Sequence, residues 1–398
     1  MRPTGRLHIG HFFGALQNWV KLQSDPDYEC FYFVADWHAL TSDYADTSAV
    51  AENTIQITID YLAAGLDPQK SVIFRQSQVP EHAELHLLLS MITPLGWLER
   101  IPTYKEALDN ITNKDLHTYG FLGYPTLQTA DIVMYSEPGK GLFVPVGEDQ
   151  VSHVEFSREL VRRFNFFYSG KMRKDLTPEQ VKDAQALVLL NLPGGHFEAT
   201  AAGETTILLS NARSELGMER YSQMIRGNPQ YFEPPDTLIE PDILLTKTPR
   251  IPGLDGRKMS KSYNNAITLS ESDADIRSKT KVMVTDPARK RRTDPGNPDV
   301  CPVYDWHKLF SPPETLAWAA EGCRTAGIGC IECKSKMADH LIQWITPVRE
   351  RRLKWEQNQK GVLEILDNGS AIAQESAKRT MHRVRDSIFH WPSKRSSL

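Results

Sequence analysis

Features that mark secreted, disulfide-stabilised and membrane proteins are scarce in this sequence. Only five of its 398 residues are cysteines, too few for a disulfide scaffold. No apolar run approaches the roughly 20 residues that a membrane helix needs, and the first segment, MRPTGRLHIGHF, lacks the apolar core of a signal peptide. These absences predict a cytoplasmic protein that does not enter a membrane.

An excess of charge of either sign is also lacking. The formal net charge is −4, and 24% of the residues are charged against 40% that are hydrophobic. These proportions are ordinary for a globular protein and do not mark a nucleic-acid binder, so any basic binding surface must be local. The length allows two or three domains.

Short apolar runs alternate with amphipathic stretches through the first 168 residues. Buried strands are predicted at Cys30–Val34, 71–74 and Leu142–Val146, and an amphipathic helix at 10–22. The repeated strand–helix–strand order predicts an α/β domain built on a parallel sheet. From residue 266 to 398 the periodicity is helical, most clearly over 371–389, which predicts an all-helical C-terminal domain.

Residues 169–230 interrupt this pattern. The segment is weak in periodicity and rich in turn-forming residues, such as Pro193-Gly194-Gly195. It is predicted to be an insertion in the α/β domain, which then comprises residues 1–168 and 231–265. A small subdomain and an irregular surface excursion are both compatible with it.

Two histidines lie near the start of the chain, in the motif His8-Ile9-Gly10-His11. A turn precedes the motif and an amphipathic helix follows it, so the motif is predicted at a helix N-terminus, which suits an anion. The histidines share a face and can donate hydrogen bonds to phosphate oxygens, while Gly10 leaves room for a flat base. Histidines with a structural role would fit the same pattern.

A second candidate for phosphate binding is Lys258-Met259-Ser260-Lys261-Ser262. Glycines before this segment and asparagines after it predict a mobile loop. Two lysines three residues apart, together with serine hydroxyls, suit a polyphosphate that carries several negative charges. By itself, the loop also fits a solvated lysine-rich surface.

Together and in this order, the two motifs resemble the two signatures of class I aminoacyl-tRNA synthetases. The resemblance implies a Rossmann-like catalytic domain in which the amino-acid carboxylate attacks the α-phosphate of ATP. It implies that Mg²⁺ accompanies ATP and that the leaving pyrophosphate is stabilised electrostatically. The catalytic residues implied are His8, His11, Lys258 and Lys261.

Further stretches resemble the tryptophanyl branch of this family, over nearly the whole chain except residues 169–230. They lie at 2–5, 35–39, 103–106, 124–135 and 144–150. Residues 147–150 follow a predicted strand, at whose carboxyl end ligands sit in open α/β sheets, so Asp149 is predicted to accept from ribose hydroxyls. The ATP-binding residues implied are Arg2, Pro3, Thr4, Gly10, His11, Lys105, Gly147, Glu148, Asp149, Gln150, Ile251, Lys258, Met259, Ser260, Lys261 and Ser262.

Asp131 is the residue predicted to recognise the amino-acid side chain. It lies among apolar neighbours and needs a donor if buried, which an indole N–H would supply; a backbone group or a basic side chain is the alternative. Tyr124, Gln128 and Asp131 are spaced to share a helix face and, with His38, form the predicted tryptophan site. A tyrosyl synthetase can use a similar trio, so that alternative stays open, as does a non-catalytic paralogue that binds tryptophan or RNA.

The start of the chain departs from the family pattern. The family usually has a short strand before the segment that corresponds to residues 2–5, bordering the amino-acid pocket, whereas this chain starts at Met1. We therefore expect in-frame coding sequence upstream of Met1. A stop codon directly before it would contradict this expectation.

Four of the five cysteines, Cys301, Cys323, Cys330 and Cys333, fall close together in sequence. The cytosol disfavours disulfides, which favours a metal site, and four thiolates can bind zinc or a [4Fe–4S] cluster. The spacing resembles a subset of tryptophanyl synthetases with a [4Fe–4S] cluster beside the anticodon-binding region, which implies this cluster. Zinc and metal-free buried thiols remain as alternatives.

A local basic run, Arg289-Lys290-Arg291-Arg292, adjoins the cysteine window. It fits a solvated turn, but in a tRNA enzyme of net negative charge such a run would bind the RNA backbone. The helical domain at 266–398 is therefore expected to meet the anticodon of tRNA(Trp), where unstacked bases can be recognised. The candidate contacts are Trp306, His307 and Arg324. The resemblance also implies a homodimer.

Overall fold

The computed structural model describes residues 1–110, 115–192, 204–245 and 251–389. They form two compact units. The first unit consists of Met1–Gln78, Pro145–Glu148 and Leu245–Ala371, and the second of Val79–Val144, Asp149–Leu244 and the chain from Ile372 on.

Helices dominate both units. In chain order the elements are α1 (Ile9–His11), a π-helical turn (Phe12–Leu16), α2 (Gln17–Leu22), β1 (Cys30–Val34), α3 (Asp36–Asp43), α4 (Val50–Ala64), β2 (Ser71–Arg75), α5 (Glu81–Ser90), α6 (Leu95–Leu98), α7 (Pro102–Asn110), α8 (Tyr119–Val133), β3 (Leu142–Val146), α9 (Val151–Tyr168), α10 (Pro178–Asn191), α11 (Glu204–Arg226), β4 (Pro241–Leu245), α12 (Asp273–Lys281), α13 (Pro302–Phe310), α14 (Pro313–Arg324), α15 (Cys330–Glu356) and α16 (Gln359–Phe389). Single 3₁₀ turns lie at Gln76–Gln78, Glu148–Gln150, Lys261–Tyr263 and Pro298–Val300.

The sheet of the first unit is formed by β1 and β2, which pair in parallel with Cys30 opposite Ser71. Parallel strands need a crossover connection, and α3 and α4 supply it. α4 ends at Gly65, whose φ of 115° is readily adopted only by glycine, and the chain then turns into β2. The strands thus leave their carboxyl ends beside Asp36 and Gln76.

One apolar core fills the first unit, with residues from the N-terminal helices, both strands, α4 and the C-terminal helices. Its fully buried members include Ile9, Leu16, Val34, Ile57, Ile73, Ile267, Trp306 and Leu341. α15 packs against α4, α12 and α13. α16 approaches β2 closely at Gly369, because a Cβ at this position would lie 2.0 Å from the carbonyl oxygen of Ile73.

In the second unit, α8 packs against both α5 and α9, and β3 pairs with β4. α10 and α11 pack together and have an apolar core of their own, built from Ala184, Val188, Ala212, Ile225 and Phe232 among others. No helix in the described ranges of either unit is long and apolar enough to cross a membrane.

The predicted α/β architecture with a helical C-terminal part is confirmed, as are the strands at Cys30–Val34 and 71–74. Leu142–Val146 is a strand, but the prediction that it is buried is wrong, because Phe143 is 45% exposed. The strand pairs with β4, which the sequence pattern had not indicated. The helix at 10–22 forms, interrupted by a π turn.

The segment at 169–230 is helical where the structure describes it. α10 begins with a capping box, in which Thr177 accepts from the backbone N–H of Gln180 and the Gln180 side chain accepts from the Thr177 N–H. The separate core of α10 and α11 favours a small subdomain over an irregular excursion. The predicted functional domains cross the boundaries of the two compact units and remain predictions.

Candidate active site

The two motif histidines form the start of α1 through a reciprocal cap. The His8 N–H donates to Nδ1 of His11 (3.2 Å), and the His11 N–H donates to Nδ1 of His8 (3.3 Å). The rings stack with centroids 3.7 Å apart, so the predicted common face exists. Since each Nδ1 accepts, each imidazole carries its proton on Nε2 and can donate from there.

Both imidazoles are kept neutral. Burial, and secondarily the cation of Lys261, lowers the pKa of His8 from 6.5 to about 4. Burial also lowers the pKa of His11 well below its ordinary value, with His8 and Lys261 adding to the effect. The pair therefore presents hydrogen-bond donors rather than positive charges.

Replacing His8 with asparagine, which can still cap the helix, should flatten the pH dependence of stability. Between pH 6.5 and about 4 the unfolded chain binds a proton at His8 more readily than the folded chain does, so stability falls as the pH drops through this window. Thermal unfolding midpoints measured at steps across the window check this. The surface variant H117N should keep the wild-type slope, and an equally steep slope for H8N would contradict the prediction.

Gly10 is required by the histidine cap itself. A Cβ at this position would lie 2.9 Å from two atoms of the His8 ring and 3.4 Å from the sulfur of Met259. The sequence had suggested room for a base against the backbone. The structure adds that the histidine and a residue of the second motif already occupy the space beside Gly10.

The second motif lies against the first. The Lys261 ammonium donates to the carbonyl oxygens of Thr4 and Gly5, both at 3.0 Å. The chain that follows the motif then pairs with the first motif, because the Ile9 N–H donates to Ile267 and the Leu269 N–H donates to Leu7. The predicted juxtaposition of the two motifs is therefore present within the first unit.

Asn265 holds the loop of the second motif together. Its buried amide accepts from the Ser260 N–H (2.7 Å) and donates to Asp255 (2.7 Å) and to the Lys258 carbonyl (3.1 Å). A Cβ at Gly253 would lie 2.3 Å from this amide nitrogen. The sequence had favoured a mobile loop, whereas the structure shows a connected network that sequence reasoning missed.

A buried ion pair between Asp60 and Arg352 is hydrogen-bonded to the backbone just before the first motif. Asp60 of α4 accepts from the Leu7 N–H (2.7 Å) and from the guanidinium of Arg352 on α15, and neither side chain reaches solvent. Burial raises the pKa of Asp60 to about 6, although Arg352 opposes this shift. The signal in the sequence was a single charged residue inside the otherwise uncharged segment TIQITIDYLAA.

The other predicted ATP-binding residues are divided between the units. Arg2, Thr4 and Lys258 are exposed in the first unit, whereas Pro3, Ile251 and Met259 are buried there. Gly147, Glu148, Asp149 and Gln150 directly follow β3, as predicted, and Lys105 is exposed on α7 of the second unit. Of Ser262 only the backbone is described. The roles of these residues in binding ATP remain predictions.

Asp131 lies on α8 in the second unit, on a helix as predicted, and it is buried beside a partner that sequence reasoning missed. Its Oδ1 lies 2.6 Å from Nδ1 of His82 on α5, and Nε2 of His82 lies 2.6 Å from the hydroxyl of Tyr135. A basic side chain was the alternative to an indole N–H. The structure supplies that side chain to one carboxylate oxygen.

The remaining residues of the predicted tryptophan site are placed as follows. The Tyr124 hydroxyl lies 2.7 Å from Thr103 Oγ1 and 2.8 Å from His153 Nε2. Gln128 is half-buried on the same helix, α8, whereas His38 is buried on α3 of the first unit. Their contact with an amino acid remains a prediction.

Comparison with known proteins decides the family. Residues 1–195 and 215–345 match the family described as tRNA synthetases class I (W and Y). The chain belongs to this family. It is 46% identical to the tryptophan–tRNA ligase of Ralstonia nicotianae over 98% of this chain and 96% of that protein, and 42% identical to that of Thermotoga maritima over 97% and 96%.

A solved structure gives the same result. The synthetase resembles tryptophanyl-tRNA synthetase from Campylobacter jejuni, complexed with ADP and tryptophan, with a TM-score of 0.72 and 25% identity over 98% of each chain. The class I fold implied by the two motifs is thereby confirmed.

The four cysteines of the synthetase are grouped in the first unit. The pKa of Cys333 is raised to about 12, because its thiol is buried and Cys301, Cys323 and Cys330 lie close enough to oppose a further negative charge. Yet among the described residues no three His, Cys, Asp or Glu side chains are arranged to hold a metal ion. Grouping is therefore present without the geometry of a formed metal site.

The basic run lines a cavity beside the cysteines. The cavity has a volume of about 1120 Å³, and Trp318 and Lys336 line it together with the four basic residues. Lys290, Arg291 and Arg292 are exposed, whereas Arg289 is buried and donates to the backbone carbonyls of Arg292 and Ile328.

Two of the expected anticodon contacts are wrong. Trp306 is fully buried and donates from Nε1 to the Pro252 carbonyl (2.9 Å), and His307 is fully buried beside Ser311. Neither can touch RNA in this arrangement. Arg324 remains exposed, 3.5 Å from the carboxylate of Asp299.

Proposed function

We propose that this synthetase is a tryptophan–tRNA ligase, which activates L-tryptophan with ATP and passes the aminoacyl group to the 3′ end of its tRNA. The observation that carries the proposal is the pairing of the two motifs in the first unit. Lys261 bonds to the turn before His8, and residues 267–269 pair with residues 7–9. The names of the Ralstonia and Thermotoga relatives support tryptophan as the substrate.

The chemistry follows from the charges of this pair. The proposal assigns the neutral Nε2–H groups of His8 and His11 to donate to phosphate oxygens, and the ammonium groups of Lys258 and Lys261 to offset the charge that grows on the departing pyrophosphate. Mg²⁺ would enter with ATP and neutralise part of the same charge. Lys261, now bonded to two carbonyl oxygens, must turn toward the phosphates when ATP binds.

The proposal assigns amino-acid recognition to α8. Asp131, a buried acceptor, would bind the indole N–H, with Gln128, Tyr124 and His38 completing the site and residues 147–150 meeting the ribose. Support for tryptophan over tyrosine comes from Tyr124. Its hydroxyl is already hydrogen-bonded to Thr103 and His153, so it is less available to bind the phenol hydroxyl of a tyrosine substrate.

Amino-acid-dependent exchange of pyrophosphate into ATP tests the function. We expect exchange with tryptophan and background rates with the other standard amino acids. Exchange with tyrosine but not tryptophan would establish the tyrosyl alternative. Binding of tryptophan without any exchange would establish the non-catalytic one.

The helical domain at 266–398 is assigned to the tRNA anticodon. Support comes from the exposed Lys290, Arg291 and Arg292 at the rim of a cavity that also contains the flat ring of Trp318, a combination suited to a phosphate backbone and an unstacked base. The catalytic domain is assigned to residues 1–168 and 231–265. No role is assigned to the subdomain at 169–230.

The four cysteines are proposed to hold a [4Fe–4S] cluster. Their spacing in the sequence and their mutual proximity support this, because four cysteine thiolates are the ligand set of such a cluster. The thiols would have to turn toward a common centre, since they form no metal site as they stand.

Protein purified without oxygen and chelators should therefore be brown and should contain about four iron atoms and four sulfides per chain, by analogy with Cys₄-bound clusters. The variant C333A should lose the colour. C30A, which alters the cysteine outside the group, should keep it. Colourless, iron-free protein with stoichiometric zinc would establish the zinc alternative, and metal-free protein would contradict both.

A homodimer is proposed from the surface of the second unit. Leu87, Met91 and Leu95 are 53%, 70% and 64% exposed, and Leu87 and Met91 are one helical turn apart. Light scattering should give the mass of two chains for the wild type and of one chain for the M91D/L95D variant. The control L190D changes a leucine on α10 that is still more exposed, at 84%, and should stay dimeric. A monomeric wild type would contradict the proposal.

A further inference from the structure

A buried imidazole lies between Asp131 and a second buried polar group in the second unit. His82 is 0% exposed, at the start of α5, which packs along α8. Its two ring nitrogens are both used at 2.6 Å, Nδ1 toward Asp131 Oδ1 and Nε2 toward the Tyr135 hydroxyl. The three side chains thus form a chain of two short hydrogen bonds that ends on the carboxylate.

The protons in this chain can be assigned. Burial raises the pKa of Tyr135 well above its ordinary value, and Asp131 and Glu81 add to the shift, so the phenol keeps its proton and donates it to Nε2. An imidazole that accepts at Nε2 carries its proton on Nδ1. Nδ1–H then donates to Asp131, which needs a donor because it is buried.

We propose that His82 is a positioning residue for amino-acid recognition, which fixes the rotation of the Asp131 carboxylate so that it can accept the indole N–H. The proposal rests on the proposed function, in which Asp131 reads tryptophan. Tyr135 contributes by fixing the tautomer. His82 itself touches neither substrate nor ATP in this assignment.

The loss of this bond has a specific consequence. Without the Nδ1–H donor, the carboxylate loses the hydrogen bond that orients Oδ1, and a misaligned Asp131 favours a ligand with an N–H over one without less strongly. Because the indole contact exists both before and during the reaction, its loss raises the KM for tryptophan more than it lowers kcat.

Two substitutions separate the two nitrogens of His82. The amide nitrogen of H82N falls near the position of Nδ1 and can still donate to Asp131. The amide of H82Q falls near Nε2 and reaches Tyr135 only. Pyrophosphate exchange is measured with tryptophan and with its benzothienyl analogue, in which sulfur replaces the indole N–H, for the wild type, H82N, H82Q and D131N.

The expected result is a loss of preference in H82Q. Its KM for tryptophan should rise about tenfold, its KM for ATP should stay unchanged, and its preference for tryptophan over the analogue should fall about tenfold, as in D131N. H82N should keep most of the preference. T129V, which removes the buried hydrogen bond between Thr129 of α8 and Ser157 of α9, should lose stability without losing preference.

Other results would overturn the proposal in distinguishable ways. If H82N and H82Q lower the thermal midpoint and both keep the wild-type preference while D131N loses it, His82 is only structural. If D131N also keeps the preference for tryptophan over the analogue, Asp131 does not recognise the indole N–H, and His82 has no positioning role in that recognition. If the wild type shows no tryptophan-dependent exchange of pyrophosphate into ATP, the proposed function itself is overturned.

Discussion

Replacing Lys261 with methionine should slow formation of the tryptophanyl adenylate about a hundredfold to a thousandfold. This is the usual effect on kcat of removing one donor that stabilises developing negative charge. Methionine keeps an unbranched apolar stem and lacks only the terminal ammonium group, so the change is largely confined to that group. The KM for tryptophan should change little, because the amino-acid site is assigned to α8.

The same substitution also removes the bonds of Lys261 to Thr4 and Gly5, which are partly exposed, so it should lower stability by only about 1 kcal/mol. Single-turnover kinetics with saturating ATP and tryptophan measure the effect, and K261R, which keeps the charge, should recover part of the rate. K308M removes a surface lysine paired with Asp305 and should react like the wild type. An unchanged kcat in K261M would remove this lysine from the catalytic machinery.

Replacing Arg352 with methionine should lower the free energy of unfolding by about 3–5 kcal/mol, the usual cost of leaving one partner of a buried ion pair uncompensated. Asp60 would then be a buried carboxylate whose remaining donor is the N–H of Leu7. Since Leu7 immediately precedes His8, the variant should also lower kcat through a displaced first motif.

Urea unfolding of R352M, R351M and the double variant D60N/R352M measures this effect. The neighbouring Arg351 donates to the Ala63 carbonyl of the same helix, α4, and its loss should cost about 1 kcal/mol. The double variant removes the uncompensated carboxylate of Asp60 and should recover much of the lost free energy of unfolding. If R351M and R352M are equally destabilised, the buried charge is not the cause.

The pH dependence gives a further check on the same pair. The pKa of Asp60 is already raised to about 6 by burial, and loss of Arg352 removes the cation that opposes the shift. A raised pKa in the folded chain means that stability is lost as the pH rises through it. The defect of R352M should therefore be smaller at pH 5 than at pH 8, in the opposite direction to the effect of His8.

What the sequence predicted well was local. The motifs His8–His11 and Lys258–Ser262 are contiguous segments, so both could be found by inspection, and their resemblance as a pair to one family indicated their chemistry. Asp60 and Arg352 are 292 positions apart, and nothing in either segment pointed to the other. His82 and Asp131 lie on different helices, and only the packing of α5 on α8 makes them partners.

Some errors had an available signal. Thr177, Pro178 and Gln180 form a helix start that the sequence pattern contained, but the glycine-rich stretch at 193–203 obscured the helical character of the segment around it. The burial of Trp306 and His307 had no such signal in the sequence, because an aromatic or imidazole ring near a basic run fits an RNA-binding surface and a protein core equally well. The apolar composition of β3 predicts a buried strand, but composition does not reveal how many neighbours a strand has.

The π turn at Phe12–Leu16 has a consequence for comparing this chain with its relatives. An α-helix advances by about 100° per residue, so one residue added to its middle would rotate everything after it to another face. A π turn accommodates one extra residue locally, so the residues before and after the turn stay on the same faces of the helix. Here Phe13, within the turn, stacks on Trp344, and Trp19, after the turn, stacks on Tyr32. A relative with one residue fewer in this stretch should therefore keep both faces, and the gap in an alignment should fall inside the turn.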